Sequence, residues 1–285
     1  MGSHKVPLLG RAVLERDGTH LTMRVERSTR RIVHRPIDSF DLEQFAETYL
    51  PVRESANFRQ RRNRIGYLWM SKLGQLRAFE SLLEQSILLD LDRDPNVRRV
   101  WSQPFRVDGL DPNRGGRYVR PTPDLLIEDH RGKLQVVEVK PKRYVDYPVE
   151  AHFAGDLEQF EKAVRRWQRL RDSITYQSEQ LQQVDISVSV RSELPEVRRK
   201  NLEYLSLYRR PLSKDDPLAE TVLDVAAHGP VEVIDLAEQA GGFVAAMPVV
   251  MHLVWHRHLH IDLEAPLNSK TIVHVAAAPA LKAAA

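Results

Sequence analysis

The sequence of 285 residues contains no cysteine. This absence excludes a disulfide framework and a thiolate metal site. Apolar runs of membrane-spanning length are also missing, and the amino terminus has no apolar segment typical of a signal peptide. We therefore expect a cytoplasmic protein with no membrane partner. The length allows two domains, each with a core of its own.

Charge is nearly balanced, with a net charge of +3, but the basic excess is uneven. Basic residues outnumber acidic ones over residues 1–75, where a dense cluster precedes Tyr67 and Trp69. The cluster consists of Arg59, Arg61, Arg62 and Arg64. Arginines at this density can pair with phosphates, which predicts sequence-independent DNA binding. The alternative is a solvated basic turn before the core.

The strongest positive signal is a hairpin pattern that runs from Pro123 to Lys140. Two short apolar segments, 125–127 and 134–139, read as strands. The polar residues 129–132 between them include a glycine and supply the turn.

Charged residues gather at one end of this predicted hairpin. Side chains alternate across a strand, so Glu138 and Lys140 share a face and point toward the partner strand, which begins beside Asp124. Val137 and Val139 are expected on the other, packed side. Two acids and a lysine are thus predicted to converge at one end of a sheet.

This combination suits metal-dependent hydrolysis of phosphodiesters. Two carboxylates with open coordination positions hold a hard cation such as Mg²⁺, or Mn²⁺, together with water and phosphate oxygens. A nearby lysine can position the nucleophile or stabilise developing negative charge. The alternative is an ordinary solvated strand face, on which charged and apolar residues alternate.

The hairpin resembles the signature of the PD-(D/E)xK nuclease superfamily, which stands here as Pro123-Asp124 and Glu138-Val139-Lys140. Motifs upstream narrow the resemblance. They are Glu80-Ser-Leu-Leu-Glu84, Ile87-Leu88-Leu89, Asp94-Pro95-Asn96-Val97, Ser102-Gln103-Pro104-Phe105 and the segment from Tyr118 to Asp124. In this order they are similar to the amino-terminal catalytic domain of TnsA-type transposon endonucleases, over residues 77–170.

Carried over motif by motif, the resemblance implies a set of catalytic residues. They are Glu84, Asp124, Glu138 and Lys140. The three acids would hold the metal, and Lys140 would be the catalytic lysine. Glu80 lies one helical turn before Glu84 and is the alternative helix acid. Gln103 is implied as a residue that supports the site, although a Gln before Pro also suits a structural turn.

The resemblance also implies a function and partners. Enzymes of this type are endonuclease subunits of a heteromeric transposase and cut one strand, at the 5′ end, at each transposon end during cut-and-paste DNA transposition. The implied partners are double-stranded transposon-end DNA, an integrase-like transposase subunit of TnsB type and an AAA+ ATPase regulator of TnsC type. Two alternatives stay open: a stand-alone restriction or repair nuclease, and a non-catalytic DNA-binding assembly factor.

The predicted fold class is α/β, with a restriction-endonuclease-like core and a carboxy-terminal winged-helix domain. The expected divisions are a basic amino-terminal region (1–75), the nuclease domain (76–192), a linker (193–215), the winged-helix-like domain (216–275) and a disordered tail (276–285).

Within the nuclease domain we expect helices over 79–92 and 151–182, around the hairpin and the strands 97–103, 105–107 and 185–190. The second helix carries an aromatic stripe with Phe160 and Trp167 seven residues apart. A helix laid over a sheet buries one face, so this stripe is expected to be core.

The carboxy-terminal pattern predicts three helices, over 218–227, 231–240 and 245–256, and then strands over 259–262 and 271–274. A winged helix either places its third helix in the DNA major groove or docks a protein. The segment 246–256 has no Arg or Lys, which favours docking, and in the resembling family this domain contacts other transposition proteins, here the TnsC-type ATPase.

Four histidines near this third helix raise the possibility of a metal site. They are His252, His256, His258 and His260. Imidazoles four residues apart on a helix can share an ion, but the last two fall on another predicted element, and histidine commonly ends helices.

Overall fold

The chain is mixed α/β, as the sequence predicts. The computed structural model describes residues 19–26, 31–52, 63–210 and 216–275. The chain divides into two compact units. The amino-terminal unit comprises residues 1–66, 77–83 and 96–192, and the carboxy-terminal unit comprises residues 67–76, 84–95 and 193–285. The predicted disordered tail, 276–285, lies outside the described residues.

The amino-terminal unit is built on two four-stranded sheets. The first contains β1 (His20–Glu26), β2 (Arg31–Pro36), β6 (Arg106–Asp111) and β7 (Arg117–Val119), in the spatial order β2-β1-β6-β7. The second contains β5 (Val97–Ser102), β8 (Leu125–Asp129), β9 (Leu134–Val139) and β10 (Ile186–Arg191), in the order β10-β9-β8-β5.

The second sheet contains the predicted hairpin. Strands β8 and β9 are antiparallel, with Leu125 opposite Val137. Strand β10 runs parallel to β9, with Ile186 opposite Leu134. Parallel strands need a long crossover, and the helix α4 (Leu157–Leu181) lies between these two strands in the chain.

Among the described residues up to 192, the remaining strands and α-helices are two strands and three helices, each shorter than α4. Strands β3 (Gly66–Met70) and β4 (Gln75–Phe79) form a two-stranded sheet, and the other helices are α1 (Leu42–Thr48), α2 (Leu82–Arg93) and α3 (Lys142–Val145).

Both helices predicted within residues 76–192 begin later than the sequence predicts. Helix α2 was expected from Phe79, but Phe79 ends β4 and the helix starts at Leu82. Helix α4 was expected from residue 151, yet Asp156 caps it by accepting a hydrogen bond from the backbone N–H of Gln159 at 3.0 Å. The capping residue therefore sets the start of α4.

The core of the amino-terminal unit gathers apolar residues from both sheets and from the last turns of α4. Its buried members are Leu21, Met23, Ile37, Phe45, Trp101, Phe105, Val107, Leu126, Val136, Tyr176, Leu181 and Ile186. Strand β8 is buried on both faces from Leu125 to Glu128, which explains its nearly continuous apolar sequence.

The prediction that the aromatic stripe of α4 is core is wrong. Phe160 and Trp167 are only partly buried, and the buried residues of this helix are Tyr176, Gln177 and Leu181. Trp167 packs edge-on against Tyr147, a ring that is 58% exposed. Periodicity identified the amphipathic face of α4, but only the last turns of that face reach the core.

The predicted linker, 193–215, contains the helix α5 (Glu196–Leu205). Asn201, Leu202 and Leu205 are buried there. The Asn201 side chain donates to the carbonyls of Leu263 and Ala265, at 2.9 and 2.8 Å. The described part of this segment is thus packed structure of the carboxy-terminal unit, and its residues 211–215 lie outside the described ranges.

The rest of the carboxy-terminal unit has three helices and a small sheet. The helices are α6 (Pro217–Ala226), α7 (Val233–Gln239) and α8 (Phe243–Trp255). The strands are β11 (Val231–Glu232), β12 (Leu259–His260) and β13 (Ile272–Val275), in the order β11-β13-β12. In the part of the chain that the structure describes, no helix combines the length and the apolar character needed to cross a membrane.

Candidate active site

Asp124 stands immediately before β8 and is held by backbone contacts. Its Oδ2 accepts a hydrogen bond from the N–H of Val139 at 2.7 Å. Its own carbonyl accepts from the N–H of Gln103, also at 2.7 Å. Asp124 is 8% exposed. The carboxylate is therefore fixed at the end of the hairpin where β9 stops.

Glu138 and Lys140 meet Asp124 at this point. The antiparallel register that pairs Leu125 with Val137 brings Asp124 level with Glu138. The Nζ of Lys140 lies 2.5 Å from Oδ2 of Asp124 and 2.8 Å from Oε2 of Glu138. The structure thus brings together the three charged groups that alternation and register predict.

Lys140 continues the sheet beyond β9. Its backbone N–H donates to the carbonyl of Arg191 at 3.0 Å, next to the end of β10. This contact anchors the Lys140 backbone to β10, and its side chain reaches the two carboxylates.

Electrostatics keep the lysine charged. Burial lowers the pKa of the Lys140 ammonium, but the carboxylates of Asp124 and Glu138, through charge attraction and hydrogen bonds, outweigh burial and raise it above the ordinary value. The lysine is therefore a cation throughout the neutral range.

Gln177 is a site residue that the sequence reasoning missed. Its Nε2 donates to Oε1 of Glu138 at 2.9 Å, and the side chain is fully buried. A signal was present, because Gln177 falls on the apolar stripe of α4, between Ile174 and Leu181. A lone amide on an apolar stripe points to a buried polar partner.

Gln103, predicted to support the site, lies beside it. The residue is buried, and its backbone N–H holds the carbonyl of Asp124. Its φ of 48° falls in the left-handed region, which is uncommon for residues other than glycine. This backbone contact joins the turn before Pro104 to the start of β8.

The remaining predicted residues are placed as follows. Glu84 lies in the first turn of α2 and falls in the carboxy-terminal unit, whereas Glu80 precedes the helix and falls in the amino-terminal unit. Both stay predictions as site acids. Of the basic cluster, Arg64 is exposed. Arg59, Arg61 and Arg62 lie outside the described residues.

The histidines of the carboxy-terminal unit engage backbone carbonyls. Nδ1 of His252 donates to the carbonyl of Tyr208 at 2.8 Å, and Nε2 of His256 to that of Arg209 at 3.2 Å. His260 stacks on His274, with ring centroids 5.7 Å apart. Among the described residues, no group of three or more His, Cys, Asp or Glu side chains could hold a metal ion. His252 and His256 therefore have a structural explanation.

Asp124 and Glu138 form a pair of carboxylates that fits a divalent cation together with water ligands. Oδ2 of Asp124 and Oε2 of Glu138 both lie within 2.8 Å of one ammonium nitrogen, so they are close enough to each other to share one cation. Mg²⁺ is usually bound through one or two carboxylates and keeps several waters. The donor set matches that pattern, provided that the Lys140 side chain turns aside.

A second buried carboxylate in the same sheet gives a useful contrast. Glu128, at the other end of β8, is surrounded by the guanidinium groups of Arg98 and Arg99. There two cations surround one carboxylate, which is a sound arrangement for a structural ion pair. At the candidate site two carboxylates surround one cation.

Comparison with known proteins adds no assignment. No protein-family model matches the chain, and no curated protein matches it significantly.

Proposed function

We propose that this protein is a metal-dependent DNA endonuclease whose active site is formed by Asp124, Glu138 and Lys140. One observation carries the proposal: two buried carboxylates from neighbouring strands converge on a single lysine at the end of a sheet. This is the arrangement implied by the PD-(D/E)xK signature. The mixed α/β architecture of the amino-terminal unit is compatible with such a nuclease core.

Each residue has a definable task in phosphodiester hydrolysis. Asp124 and Glu138 would hold Mg²⁺ or Mn²⁺, with Glu84 as the proposed third acid. When bound, such an ion lowers the pKa of a coordinated water and offsets charge on the phosphate. The Lys140 ammonium stabilises negative charge that develops on the phosphoryl oxygens.

The surrounding groups keep the carboxylates in place. The N–H of Val139 orients Asp124, and the amide of Gln177 orients Glu138. Carboxylates fixed in this way need little rearrangement when substrate binds.

The more specific proposal is that the enzyme is a TnsA-type subunit of a heteromeric transposase, acting in the cytoplasm. Its support is the ordered set of sequence motifs around the hairpin. In the carboxy-terminal unit, α6, β11, α7, α8, β12 and β13 follow one another in the order of a winged helix. We assign to this unit the docking of a TnsC-type ATPase. The TnsB-type transposase would be the second protein partner, and transposon-end DNA the substrate.

A nicking assay tests the catalytic proposal. Purified protein is incubated with labelled transposon-end DNA in Mg²⁺ or Mn²⁺, with and without a cognate transposase. Asp124→Asn and Lys140→Ala should each lower the nicking rate at least about 100-fold. Lys133→Ala is the matched control, because Lys133 is an exposed lysine at the opposite end of β9.

The outcomes separate the alternatives. Nicking of transposon ends only with the transposase supports the subunit proposal, whereas efficient cutting of unrelated DNA by the isolated protein indicates a stand-alone nuclease. If Asp124→Asn and Lys140→Ala cut as fast as the parent, the site assignment is wrong. An assembly factor would promote transposition equally well with either substitution.

A further inference from the structure

Three arginines on α3 and α4, the helices that follow Lys140 in the chain, lie over aromatic rings. The Cζ of Arg143 lies 5.0 Å from the ring centroid of Tyr144, and that of Arg166 lies 5.7 Å from the same centroid. The Cζ of Arg171 lies 5.7 Å from the ring of Trp167. With the exposed ring that packs on Trp167, this set forms what we call the arginine–aromatic surface. Its members are Arg143, Tyr144, Tyr147, Arg166, Trp167 and Arg171.

These arginines differ from other basic residues on α4. Lys162 pairs with Glu158 and Arg165 with Glu161, each one helical turn away. Within the described ranges, no salt bridge or side-chain hydrogen bond engages Arg143, Arg166 or Arg171, and all three are exposed. Their charge is therefore available to a ligand.

Contact with a ring restricts where each exposed guanidinium lies, and its N–H groups match the geometry of a phosphate. One ring of the set is also accessible: Tyr147 is 58% exposed and meets the half-buried Trp167 edge-on at 5.0 Å. Basic groups interleaved with exposed aromatic rings are the usual surface for a nucleic-acid strand, since phosphates meet the cations and bases stack on the rings.

The surface is continuous with the site. Helix α3 begins two residues after Lys140, and α4 carries Arg166 and Arg171 before it reaches Gln177, the partner of Glu138. From Arg166 to Gln177 the helix rises about 16 Å. A nucleic-acid strand spaces its phosphates by about 3.4 Å along a duplex axis, so this length matches about five nucleotides.

We propose that the arginine–aromatic surface binds the phosphate backbone of a nucleic-acid strand that leads into the site at Lys140, with Tyr147 stacking on an unpaired base. That the strand leads into the site at Lys140 rests on the proposed nuclease function, whereas the binding of nucleic acid to the arginine–aromatic surface is independent of it. An acidic protein surface is the competing ligand, but it would use the arginines and leave the exposed rings without a role.

The experiment measures binding without cleavage. Fluorescence anisotropy is recorded with labelled single-stranded and duplex DNA, in chelator, over a range of salt concentrations. The variant R143A/R166A/R171A is compared with K162A/R165A/R169A, which removes the same charge from exposed positions of α4. Circular dichroism checks that both fold. Polyglutamate serves as the competitor that represents an acidic protein.

The first variant should bind both DNAs at least about tenfold more weakly, and the slope of log affinity against log salt for the single strand should fall by about 2. The control variant should change the slope by less than half as much. Tyr147→Leu should weaken single-strand binding about tenfold and duplex binding less, because only an unpaired base can stack on the ring.

Three results would overturn the inference. One is equal loss in the two triple variants, another is unchanged binding by R143A/R166A/R171A, and the third is displacement of DNA by polyglutamate at equal charge concentration. The nuclease proposal is judged separately. If the parent protein never cuts DNA but R143A/R166A/R171A shows the expected loss of binding, this inference stands. If the parent protein cuts DNA and R143A/R166A/R171A binds DNA as well as the parent does, only this inference is refuted.

Discussion

Gln177 donates a hydrogen bond from its Nε2 to Oε1 of Glu138 at 2.9 Å, and both side chains are buried. The contact ties α4 to β9, the strand that carries the proposed catalytic acid Glu138. The other amide atom of Gln177, Oε1, has no hydrogen-bond partner among the described residues. Nε2 of Gln177 also donates to Oγ of Ser173 at 3.3 Å, within the same helix. Glu138 is thus the partner that Gln177 holds on the neighbouring strand, which makes Gln177 a positioning residue for Glu138.

Replacing Gln177 by leucine should lower metal affinity and activity while leaving a folded protein. Glu138 loses an orienting donor, so we expect a decrease in metal affinity of about tenfold or more. The free energy of unfolding should fall by about 1–3 kcal/mol, because Oε1 of the buried Glu138 loses its donor. Nicking rates at increasing Mn²⁺ and urea denaturation measure the two effects.

Gln168→Leu is the control, since Gln168 is exposed on the same helix and donates a hydrogen bond to Asp172. Excess Mn²⁺ should partly restore the rate of Gln177→Leu. A purely structural role would instead give parallel losses of stability and rate that metal does not restore.

The difference between what the sequence predicted and what it missed follows from the range of each interaction. Alternation along a strand and the register of a short hairpin are local, so the meeting of Asp124, Glu138 and Lys140 was predictable. The contact of Gln177 with Glu138 depends on which turn of α4 crosses β9. That crossing is set by tertiary packing, which local sequence does not show. The prediction that the aromatic stripe of α4 is core was wrong for the same reason.

The linker error has a similar cause. Pro195 and the basic run after it suggested an exposed connection. Burial of Leu202 and Leu205 and the hydrogen bonds of Asn201 to two distant carbonyls override that composition. Local polarity cannot show a partner more than sixty residues away in the chain.

Lys140→Met should destabilise the protein in the absence of divalent metal. The substitution leaves the Asp124 and Glu138 carboxylates facing each other without the ammonium, and removing one partner of a buried ion pair costs about 3 kcal/mol. Urea denaturation in chelator measures the loss, with Lys133→Met as the exposed control.

The parent protein and Lys140→Met also allow the charge state of Lys140 to be tested by the pH dependence of stability. The folded protein raises the pKa of Lys140, so the stability it contributes is fully present below the unfolded pKa of about 10.4 and is lost only as pH rises through the folded value. The difference between parent and Lys140→Met should stay constant from about pH 7 to about pH 10. A difference that vanishes by about pH 9 would show that the lysine is neutral in the folded site.

Divalent metal should stabilise the parent protein but not Asp124→Asn. A ligand that binds only the folded state adds about 1.4 kcal/mol at roughly ten times its dissociation constant. Thermal unfolding with increasing Mg²⁺ or Mn²⁺ measures this. Asp185→Asn is the control, because Asp185 is exposed, precedes β10 at the end of the sheet opposite Lys140 and has a φ of 55° that asparagine tolerates. Equal metal shifts in Asp124→Asn and the parent would place the metal elsewhere.

The pair His252 and His256 should make the carboxy-terminal unit sensitive to acid. Burial is the main cause that lowers the pKa of each, and the neighbouring histidines add to it. Their ring centroids are 4.3 Å apart, so protonating both is unfavourable. A folded pKa below the ordinary 6.5 means that stability is complete above about pH 6.5 and declines as pH falls through the folded values.

Hydrogen exchange of the amides of α8, corrected for intrinsic rates, measures the decline. In the parent, protection should fall as the pH drops below about 6.5. The double variant His252→Asn, His256→Gln keeps a donor near each bonded ring nitrogen but cannot be protonated, so its protection should stay nearly constant. His130→Gln, in the exposed hairpin turn, should behave as the parent. Equal acid sensitivity in the double variant would assign the effect to other groups.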